Sequence, residues 1–455
     1  MDEIRKRGAM NVNNSRLAGS RLAGGKGEVI VLKLGNGIPV FYNVVPDART
    51  ATIALGCKAG AFFEEGFGQK SNDGISHFLE HMFFKGTPEL STREVNEVFT
   101  RMGAVLNAYT SYDHTMYFSK VPRMHLSKAA TTWGDLMMGI KLDPLEFESE
   151  RKVVMQEEKL GRDDPMSQAG RRVHHLLFKG TTLEHDIIGS PESLGAITID
   201  MMEAYIASRY NPTNTAIAIS GGFMLDEMKS LLEDLFSREP AIPRKLSTSQ
   251  DHGGINPNWK PGSTIEREPK IRPLCYLAAS WAVQGDIEAM YYPMKLVDRL
   301  IDNGKNSLFY TDIVSKGICG NASFYYDTFQ DIMKGTIIFA AEPSRVELVH
   351  ETIMGTMKKA KDMPITGDLL ERLKRETIGK RLLAFENSLN ISTMLVRNKL
   401  CRDAMESPVE CIASLDNLDV EILQSTRNAF LDGIECAIHV TGNLPPEWEP
   451  SNVFE

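Results

Sequence analysis

The sequence predicts an α+β protein made of two homologous α/β-roll domains, each an antiparallel-rich sheet with helices packed on it, joined by a linker. The first observation is length, because 455 residues exceed what one ordinary hydrophobic core holds. The second is that strand-like and helix-like segments recur in a similar order in the two halves. The third is that residues 237–270 are rich in Pro, Ser, Gly and charge, which is typical of a linker.

The first domain is predicted over residues 28–236. Residues 29–45, VIVLKLGNGIPVFYNVV, form two strand-like runs around a GNG turn. A third strand, TATIALGCKAGAF, precedes a helix at residues 73–87 and a second helix that begins at Ser91, where Glu94 completes a capping box. A strand pair in AVLNAYTSYDHTMYFSKV, several helices, the strand NTAIAISG and the helix LDEMKSLLEDLFS complete the domain.

The second domain is predicted over residues 271–455 and repeats this order. The strand LCYLAASWAV precedes the helix YYPMKLVDRLIDNG, and the strands CGNASFYYDTF and KGTIIFAAEP follow. Long helices and the strand ECAIHVTG end the chain's second unit. Residues 1–27 are basic and lack the apolar stretch of a secretory signal, so we expect a disordered tail or a tag, with an organellar transit peptide as the alternative.

The amino-acid composition argues against a membrane-spanning, a nucleic-acid-binding and a disulfide-bonded protein. With 42% hydrophobic and 24% charged residues the chain is typical of a soluble globular protein, and it has no apolar run of about 18 residues that could span a membrane. The net charge of −9 argues against a nucleic-acid surface and favours a basic partner or substrate. The six dispersed cysteines indicate free thiols in a reducing compartment, the cytoplasm or alternatively the mitochondrial matrix.

The segment DGISHFLEHMFFKGT, residues 73–87, places ionisable residues on an otherwise apolar helix. Asp73 is expected to cap its start and Gly86 to end it. His77 and His81 are four residues apart, so they share a helix face and can hold one zinc ion between them. Glu80 lies close enough to accept a proton from an attacking water, as in the inverted His-x-x-Glu-His pattern. Because so short a pattern also arises by chance, a third ligand is the test.

That third ligand is sought in the predicted helix ESERKVVMQEEKLGRDDP. Glu150 and Glu157 are seven residues apart and therefore lie on one face, whereas Glu158 points about 100° away. An ordinary solvated charged face is the alternative interpretation. The apolar residues VVM indicate that the helix is half buried, which favours an inward Glu157.

Together, GISHFLEHMFFKGT and ERKVVMQEE, with Glu157 placed 76 positions after His81, resemble the pitrilysin/insulinase family of zinc metallopeptidases. The resemblance is to the branch that includes the mitochondrial processing peptidase beta subunit and its prokaryotic relatives. Further similar stretches are LNAYTSYDHTMYF, YIASRYNPTNTAIAISG and ITGDLLERLKRETIGKRLLAFEN. The resemblance extends over about residues 28–445 and is more specific in the first half.

This resemblance implies one zinc ion per chain, a pair of functional carboxylates and a strand edge that binds the substrate backbone. The implied zinc ligands are His77, His81 and Glu157; the implied general base is Glu80, supported by the auxiliary carboxylate Glu150; the implied substrate-binding residues are Asn107 and Ala108. Three protein ligands leave a position for water, whose pKa zinc lowers toward about 7. Addition of the substrate as a strand would let one site accept varied sequences.

The second half departs from the family pattern. Family members that are active alone carry an Arg and a Tyr there, which stabilise the tetrahedral intermediate, but by position Ile313 and Gly320 stand in their places. The nearby Tyr325 and Tyr326 are interpreted as packing residues. Losing one such electrostatic donor typically costs about 10²–10³ in rate, so the chain alone is expected to be a weak enzyme.

We therefore predict a heterodimer with a homologous non-zinc partner subunit, or alternatively a homodimer, that closes around extended or unfolded peptides. No nucleic-acid partner is expected. The competing hypotheses are a non-catalytic scaffold of the same fold and a binding module for basic peptides. Among the other histidines, His174 and His175 are adjacent and would face apart on a helix, and His114 and His185 have no partner at ligand spacing, so one metal site is expected.

Overall fold

We describe the chain from a computed structural model, in which residues 20–22, 29–64, 72–245 and 259–451 are described. The rest of the predicted N-terminal tail, residues 1–19 and 23–27, lies outside the described residues, as do residues 246–258 of the predicted linker. We call residues 29–245 the first half and residues 259–451 the second half. Within the described residues, no helix is long and apolar enough to cross a membrane.

The described residues form twelve strands in two sheets. They are β1 (Ser20–Leu22), β2 (Val29–Lys33), β3 (Pro39–Val44), β4 (Thr50–Cys57), β5 (Val105–Thr110), β6 (Thr115–Pro122), β7 (Thr215–Gly221), β8 (Ile265–Pro269), β9 (Cys275–Gln284), β10 (Ser323–Phe329), β11 (Ile332–Ala341) and β12 (Ala437–Gly442). The first sheet has the order β1-β2-β3-β7-β4-β6-β5 and the second β10-β11-β9-β12-β8. Only β3–β7 and β8–β12 pair in parallel, so both sheets are antiparallel-rich, as predicted.

Helices cover these sheets. They are α1 (Ile75–Met82), α2 (Thr92–Arg101), α3 (Leu126–Met138), α4 (Pro144–Asp163), α5 (Pro165–Phe178), α6 (Pro191–Ala196), α7 (Ile199–Arg209), α8 (Leu225–Phe236), α9 (Ile287–Ile301), α10 (Val346–Asp362), α11 (Gly367–Phe385), α12 (Ser388–Arg402), α13 (Pro408–Asp416) and α14 (Val420–Leu431). The predicted capping box is present, since Ser91 accepts from the Glu94 amide and Glu94 from the Ser91 amide.

The two halves share one topology. Reading across the first sheet from β3 gives the strand sequence β3-β7-β4-β6-β5, and reading across the second from β8 gives β8-β12-β9-β11-β10. Each strand of the first series therefore has a counterpart five strands later in the chain, and the parallel pair sits in the same place. This confirms the predicted repeat of one α+β unit. It also shows that the second sheet uses β8, a strand inside the segment predicted as linker.

In each half, one helix packs on the sheet of the other half. Helix α5 of the first half packs on the second sheet, where Ala169, Val173 and Leu177 join a buried cluster with Ala278 and Ile338. Helix α12 of the second half packs on β4 and β7 of the first sheet in a second buried cluster. Apolar burial at about 25 cal/mol per Å² makes such contacts strongly stabilising. This exchange of helices fixes the position of each half relative to the other.

Candidate metal centre

The start of helix α1, which holds His77 and His81, is capped by a contact that the sequence did not predict. Its N-cap residue is Gly74, not the predicted Asp73. The buried Glu64 carboxylate accepts hydrogen bonds from the Gly74 amide at 2.8 Å and the Ser76 amide at 2.9 Å. Gly74 has a φ of 91°, and a Cβ there would lie 2.4 Å from the Ile188 carbonyl oxygen, so glycine is required. The Asp73 carboxylate instead pairs with His185 Nδ1 at 3.0 Å.

Helix α1 has one apolar face and one ionisable face. Its buried residues include Phe78, Leu79 and Met82, which belong to the core of the first half. His77 and His81 lie on the opposite, half-buried face, with ring centroids 4.7 Å apart. The spacing of four residues therefore places both imidazoles side by side, as predicted from the helical repeat.

The third donor comes from α4. Glu157 Oε1 lies 3.9 Å from His77 Nε2, and Glu157 Oε2 lies 3.4 Å from His81 Nε2. The three side chains each offer a ligand atom, and all three atoms lie within 4.8 Å of one another. The Glu157 side chain is 51% exposed, so this third donor is less inward than the sequence predicted.

Glu150 positions His81. The Glu150 Oε1 atom lies 2.8 Å from His81 Nδ1, an arrangement that assigns the ring proton to Nδ1 and leaves Nε2 free to bind a metal. Lys85 forms an ion pair with the other carboxylate oxygen. Burial raises the pKa of Glu150, but the hydrogen bonds from His81 and Lys85 outweigh this and hold it below its usual range. Glu150 is therefore ionised, and it contacts His81 from outside the group of three candidate donors.

Glu80 lies beside the ligands and points at none of them. Its Oε2 atom accepts a hydrogen bond from Thr110 Oγ1 at 2.7 Å. Burial raises the pKa of Glu80, and the neighbouring Glu157 raises it further, while Thr110 and His81 lower it. A carboxylate whose pKa is raised above its ordinary value is a better proton acceptor during a reaction at neutral pH.

The donor set fits zinc. In a tetrahedral site with bonds near 2.0–2.1 Å, neighbouring ligand atoms lie about 3.3 Å apart, close to the spacing of Glu157 from the two imidazoles. Burial and the neighbouring His81 together lower the pKa of His77 to about 4, so His77 is neutral at physiological pH, as a ligand must be. Glu157 faces the Nε2 atom of His77. The other ring nitrogen, Nδ1, is buried without a hydrogen-bond partner among the described residues.

A cavity of about 760 Å³ opens at this cluster. His77, Glu157 and Thr110 line it from the first half, and Tyr325 and Lys334 line it from the second. Strand β5, which holds the predicted substrate-binding residues, is an edge strand of the first sheet, with an exposed Asn107 and a half-buried Ala108. No strand of the described residues pairs with its outer edge, so another strand can add there.

The structure revises the interpretation of the second-half residues. Tyr325 is 39% exposed and lines the metal-site cavity, so it is not the packing residue that we predicted, whereas Tyr326 does pack on the core of the second half. Ile313 is fully buried and lies in a short π-helical turn. A Cβ at Gly320 would meet no atom within 4 Å.

Sequence reasoning missed a cluster that joins the two halves. His114 Nδ1 lies 2.6 Å from Asp113 Oδ1 and 3.5 Å from Cys401 Sγ, although Cys401 is 287 residues away in the chain. Its possible ligand atoms lie within 4.8 Å of one another. However, the positive charges of Lys58 and Arg397 act on this cluster and oppose a second cation there. All six cysteines are free, as predicted, and the sequence spacing contained no signal for this contact.

The remaining histidines take structural partners. His174 is buried and its Nε2 atom lies 2.6 Å from the Leu183 carbonyl oxygen. His175 Nδ1 lies 3.3 Å from Glu184, on the solvent side of the same helix. The two rings therefore face apart, as predicted.

Replacing Glu150 with glutamine is expected to weaken zinc binding by roughly 10–100-fold, because outer partners of metal ligands typically contribute that much. A neutral amide would hold His81 less firmly and leave Lys85 without its carboxylate. Competition with a fluorescent zinc chelator measures the change. Glu146, on the same helix, provides the matched control as Glu146→Gln, and equal zinc affinity in both variants would contradict the supporting role of Glu150.

Comparison with known proteins agrees with this geometry. Residues 40–191 match the family model described as insulinase (peptidase family M16), and residues 196–377 match the model described as the peptidase M16 inactive domain. The chain is 26% identical over 422 residues to the uncharacterized zinc protease YmxG of Bacillus subtilis, covering 90% of this chain and 98% of the relative. It is 25% identical over 426 residues to the mitochondrial-processing peptidase subunit beta of Lentinula edodes, covering 90% and 89%.

Solved structures show the same fold. A protease from Helicobacter pylori superposes with a TM-score of 0.81 at 20% identity, covering 92% of this chain and 100% of the other. A peptidase M16 inactive domain from Pseudomonas fluorescens superposes with a TM-score of 0.79 at 14% identity, covering 93% and 100%. With both domain models matched in order along the sequence, the chain belongs to peptidase family M16, the insulinase family.

Proposed function

We propose that this chain is a zinc-dependent endopeptidase that hydrolyses extended or unfolded peptides. The proposal rests on one observation, the convergence of donor atoms from His77, His81 and Glu157 beside a fourth side chain, Glu80, that ligates nothing. The names of the relatives as zinc proteases and processing peptidases support it. The scaffold hypothesis needs a decayed site, whereas here the residues that we propose as ligands, outer support and base are all present.

Each side chain has a distinct task in this proposal. A bound zinc ion supplies Lewis acidity, which makes water a nucleophile near neutral pH. Glu80, steadied by Thr110, accepts the proton from the water that attacks the peptide carbonyl and then delivers it to the leaving amine. Glu150 keeps His81 in the tautomer and orientation that a ligand needs.

The β5 edge would hold the substrate. A peptide that adds to β5 as a further strand forms backbone hydrogen bonds, which do not depend on its side chains. Asn107 and Ala108 lie on this strand, and Thr110 at its end contacts Glu80. The strand therefore leads a bound backbone toward the base. Only an extended or unfolded segment can pair in this way.

We further propose that the chain is the zinc-bearing subunit of a heterodimer. Ile313 is buried and Gly320 has no side chain, so neither can supply the contacts to the tetrahedral intermediate that the family's Arg and Tyr make. A homologous partner subunit without zinc would supply them. Several relatives are named as a subunit beta, which supports membership of an assembly.

A self-sufficient homodimer is the second candidate. Its support is that Tyr325 and Lys334 of this chain line the metal-site cavity. Lys334 Nζ is already engaged by Asp327 at 3.0 Å and His174 at 3.3 Å, which leaves the Tyr325 hydroxyl as the donor on that side. The heterodimer is favoured because Lys334 is thus committed to structural contacts, and Arg171, which also lines this cavity, pairs with Asp186 at 3.1 Å.

Reconstitution separates these candidates. We expect the purified chain to bind one zinc ion and to cleave a quenched peptide library slowly, with a roughly 10²–10³-fold gain when a homologous non-zinc subunit is added. Zinc content by elemental analysis and initial cleavage rates are the measurements. Full activity from the chain alone, lost in Tyr325→Phe, would establish the homodimer instead. Zinc-free protein without activity in any combination would support the scaffold.

A further inference from the structure

A second, larger cavity lies between the two halves and is not used by the proposed peptidase. Its volume is about 1190 Å³. The first half contributes Lys58 and the loop that contains Asp113, and the second half contributes residues of α9, α11 and α12 together with the β10–β11 turn. It shares no lining residue with the metal-site cavity.

Two chain segments form a common wall between the cavities. At the end of β5 and in the turn that follows, Thr110 and Tyr112 line the metal-site cavity, whereas Ser111 and Asp113 line the larger one. In β10, Tyr325 lines the metal-site cavity and Tyr326 the larger one. Tyr325 and Tyr326 are successive residues of an extended strand and therefore point to opposite sides, whereas residues 111–114 form the turn between β5 and β6.

Cations crowd one end of the larger cavity. The ring of Tyr291 lies 3.7 Å from Lys295 Nζ and 3.6 Å from the Arg402 guanidinium carbon, measured to the ring centroid. Arg381 and Arg397 line the same space. The side chain of Arg397 projects into the cavity, so it is exposed to solvent there although the protein surrounds it.

Carboxylates also line this cavity, but each of them already has an ion pair or a hydrogen bond within the protein. Glu288 pairs with Arg402, Asp327 with Lys334, Asp403 with Lys399 and Asp113 with His114, while Asp286 caps α9 and Asp331 accepts from Gln284. By contrast, five lining cations have no carboxylate oxygen within 4.0 Å among the described residues. One is the exposed Lys33, and the other four, which we call the unpaired cations, are Lys58, Lys295, Arg381 and Arg397. Unpaired positive charge in a recess is costly and attracts an anion.

The pKa values of Lys295 and Tyr291 agree with the presence of these unpaired cations. Burial, together with the nearby Arg381 and Arg397, lowers the pKa of Lys295 to about 8. Burial raises the pKa of Tyr291, yet the surrounding cations outweigh burial and bring it below its ordinary value. Both pKa values therefore respond to the neighbouring arginines of this cavity.

We propose that this cavity binds a compact, multiply charged phosphate compound through the four unpaired cations. Arginine guanidinium groups bind phosphate oxygens with paired, charge-assisted hydrogen bonds, and lysines contribute point charges. Since Lys58 belongs to the first half and the other three to the second, the bound anion connects the halves. The proposal does not depend on the peptidase activity, and its test needs none.

Binding of sodium triphosphate tests the proposal directly. Isothermal titration calorimetry and the melting temperature are measured with triphosphate, inorganic phosphate and a glutamate-rich peptide, at one ionic strength set with sodium chloride. We expect saturable binding and a rise in melting temperature with triphosphate, weaker effects with phosphate and none with the peptide. The double variant Arg381→Gln with Arg397→Gln should lose at least about tenfold in affinity.

Two further variants make the outcome decisive. Arg375→Gln is the matched control, because Arg375 lies on the same helix as Arg381, is exposed and does not line the cavity. Lys58→Gln tests the site from the other half and should also weaken binding, which keeps the test valid if the double variant misfolds. Equal binding by Lys58→Gln and the control, or binding of the acidic peptide in place of triphosphate, would overturn the proposal.

Discussion

Replacing Glu80 with glutamine is expected to reduce peptide hydrolysis by roughly 10²–10⁴-fold while the chain keeps its zinc. Glutamine preserves the size of the side chain and can still contact Thr110, whose hydroxyl donates to Glu80 Oε2 at 2.7 Å. It cannot accept the proton of the attacking water. The loss should therefore appear in kcat, with KM little changed, because the interaction acts in the transition state.

Two quantities are measured on the same preparations. One is the initial cleavage rate in the presence of the partner subunit, and the other is the zinc content per chain. Glu203→Gln is the matched control, since Glu203 is exposed on α7 and has no ion pair among the described residues. A Glu80→Gln variant that retains both zinc and full cleavage would remove Glu80 from the proposed mechanism. A variant that loses zinc would instead mean that Glu80 helps to hold the metal.

Replacing His77 with alanine is expected to lower zinc affinity by more than the roughly 10–100-fold predicted for loss of the outer partner Glu150. Only His81 and Glu157 would remain as ligands, and two donors cannot define a tetrahedral site with one open position. Cleavage should fall with zinc content. Because His77 lies on the half-buried face of α1, opposite the core residues, the fold should survive.

Zinc retained after dialysis against a chelator and the melting temperature of the zinc-free protein test this prediction. His125→Ala serves as the control, because His125 lies outside both cavities. We expect the zinc-free melting temperatures of the two variants to agree. Full zinc retention by His77→Ala would show that another donor completes the site, and the ligand assignment would then be wrong.

Local spacing predicted the helix-borne part of the candidate site. His77 and His81 are one helical turn apart, and Glu150 and Glu157 are two turns apart, so the 3.6-residue repeat alone placed each pair on one face. That α1 and α4 then face each other was an expectation from family resemblance. The structure brings them to 3.4 Å between His81 and Glu157.

Contacts distant in sequence could not be predicted in this way. Glu64 caps α1 from a preceding segment, and that contact displaced Asp73 from the predicted role. The pairing of β8 with β12 joins residues about 170 positions apart, so composition made β8 look like linker. The exchange of α5 and α12 between the sheets depends on apolar faces whose partners no local pattern identifies.

The shared wall between the two cavities has an evolutionary consequence. Inserting or deleting one residue in β10 before Tyr325 would move Tyr325 to the side of the larger cavity and Tyr326 to the side of the candidate metal ligands. Point substitutions, in contrast, can alter one cavity and spare its neighbour. Lineages of this protein should therefore vary in residue identity along the wall but keep its length fixed, so that each pocket diversifies on its own alternate positions.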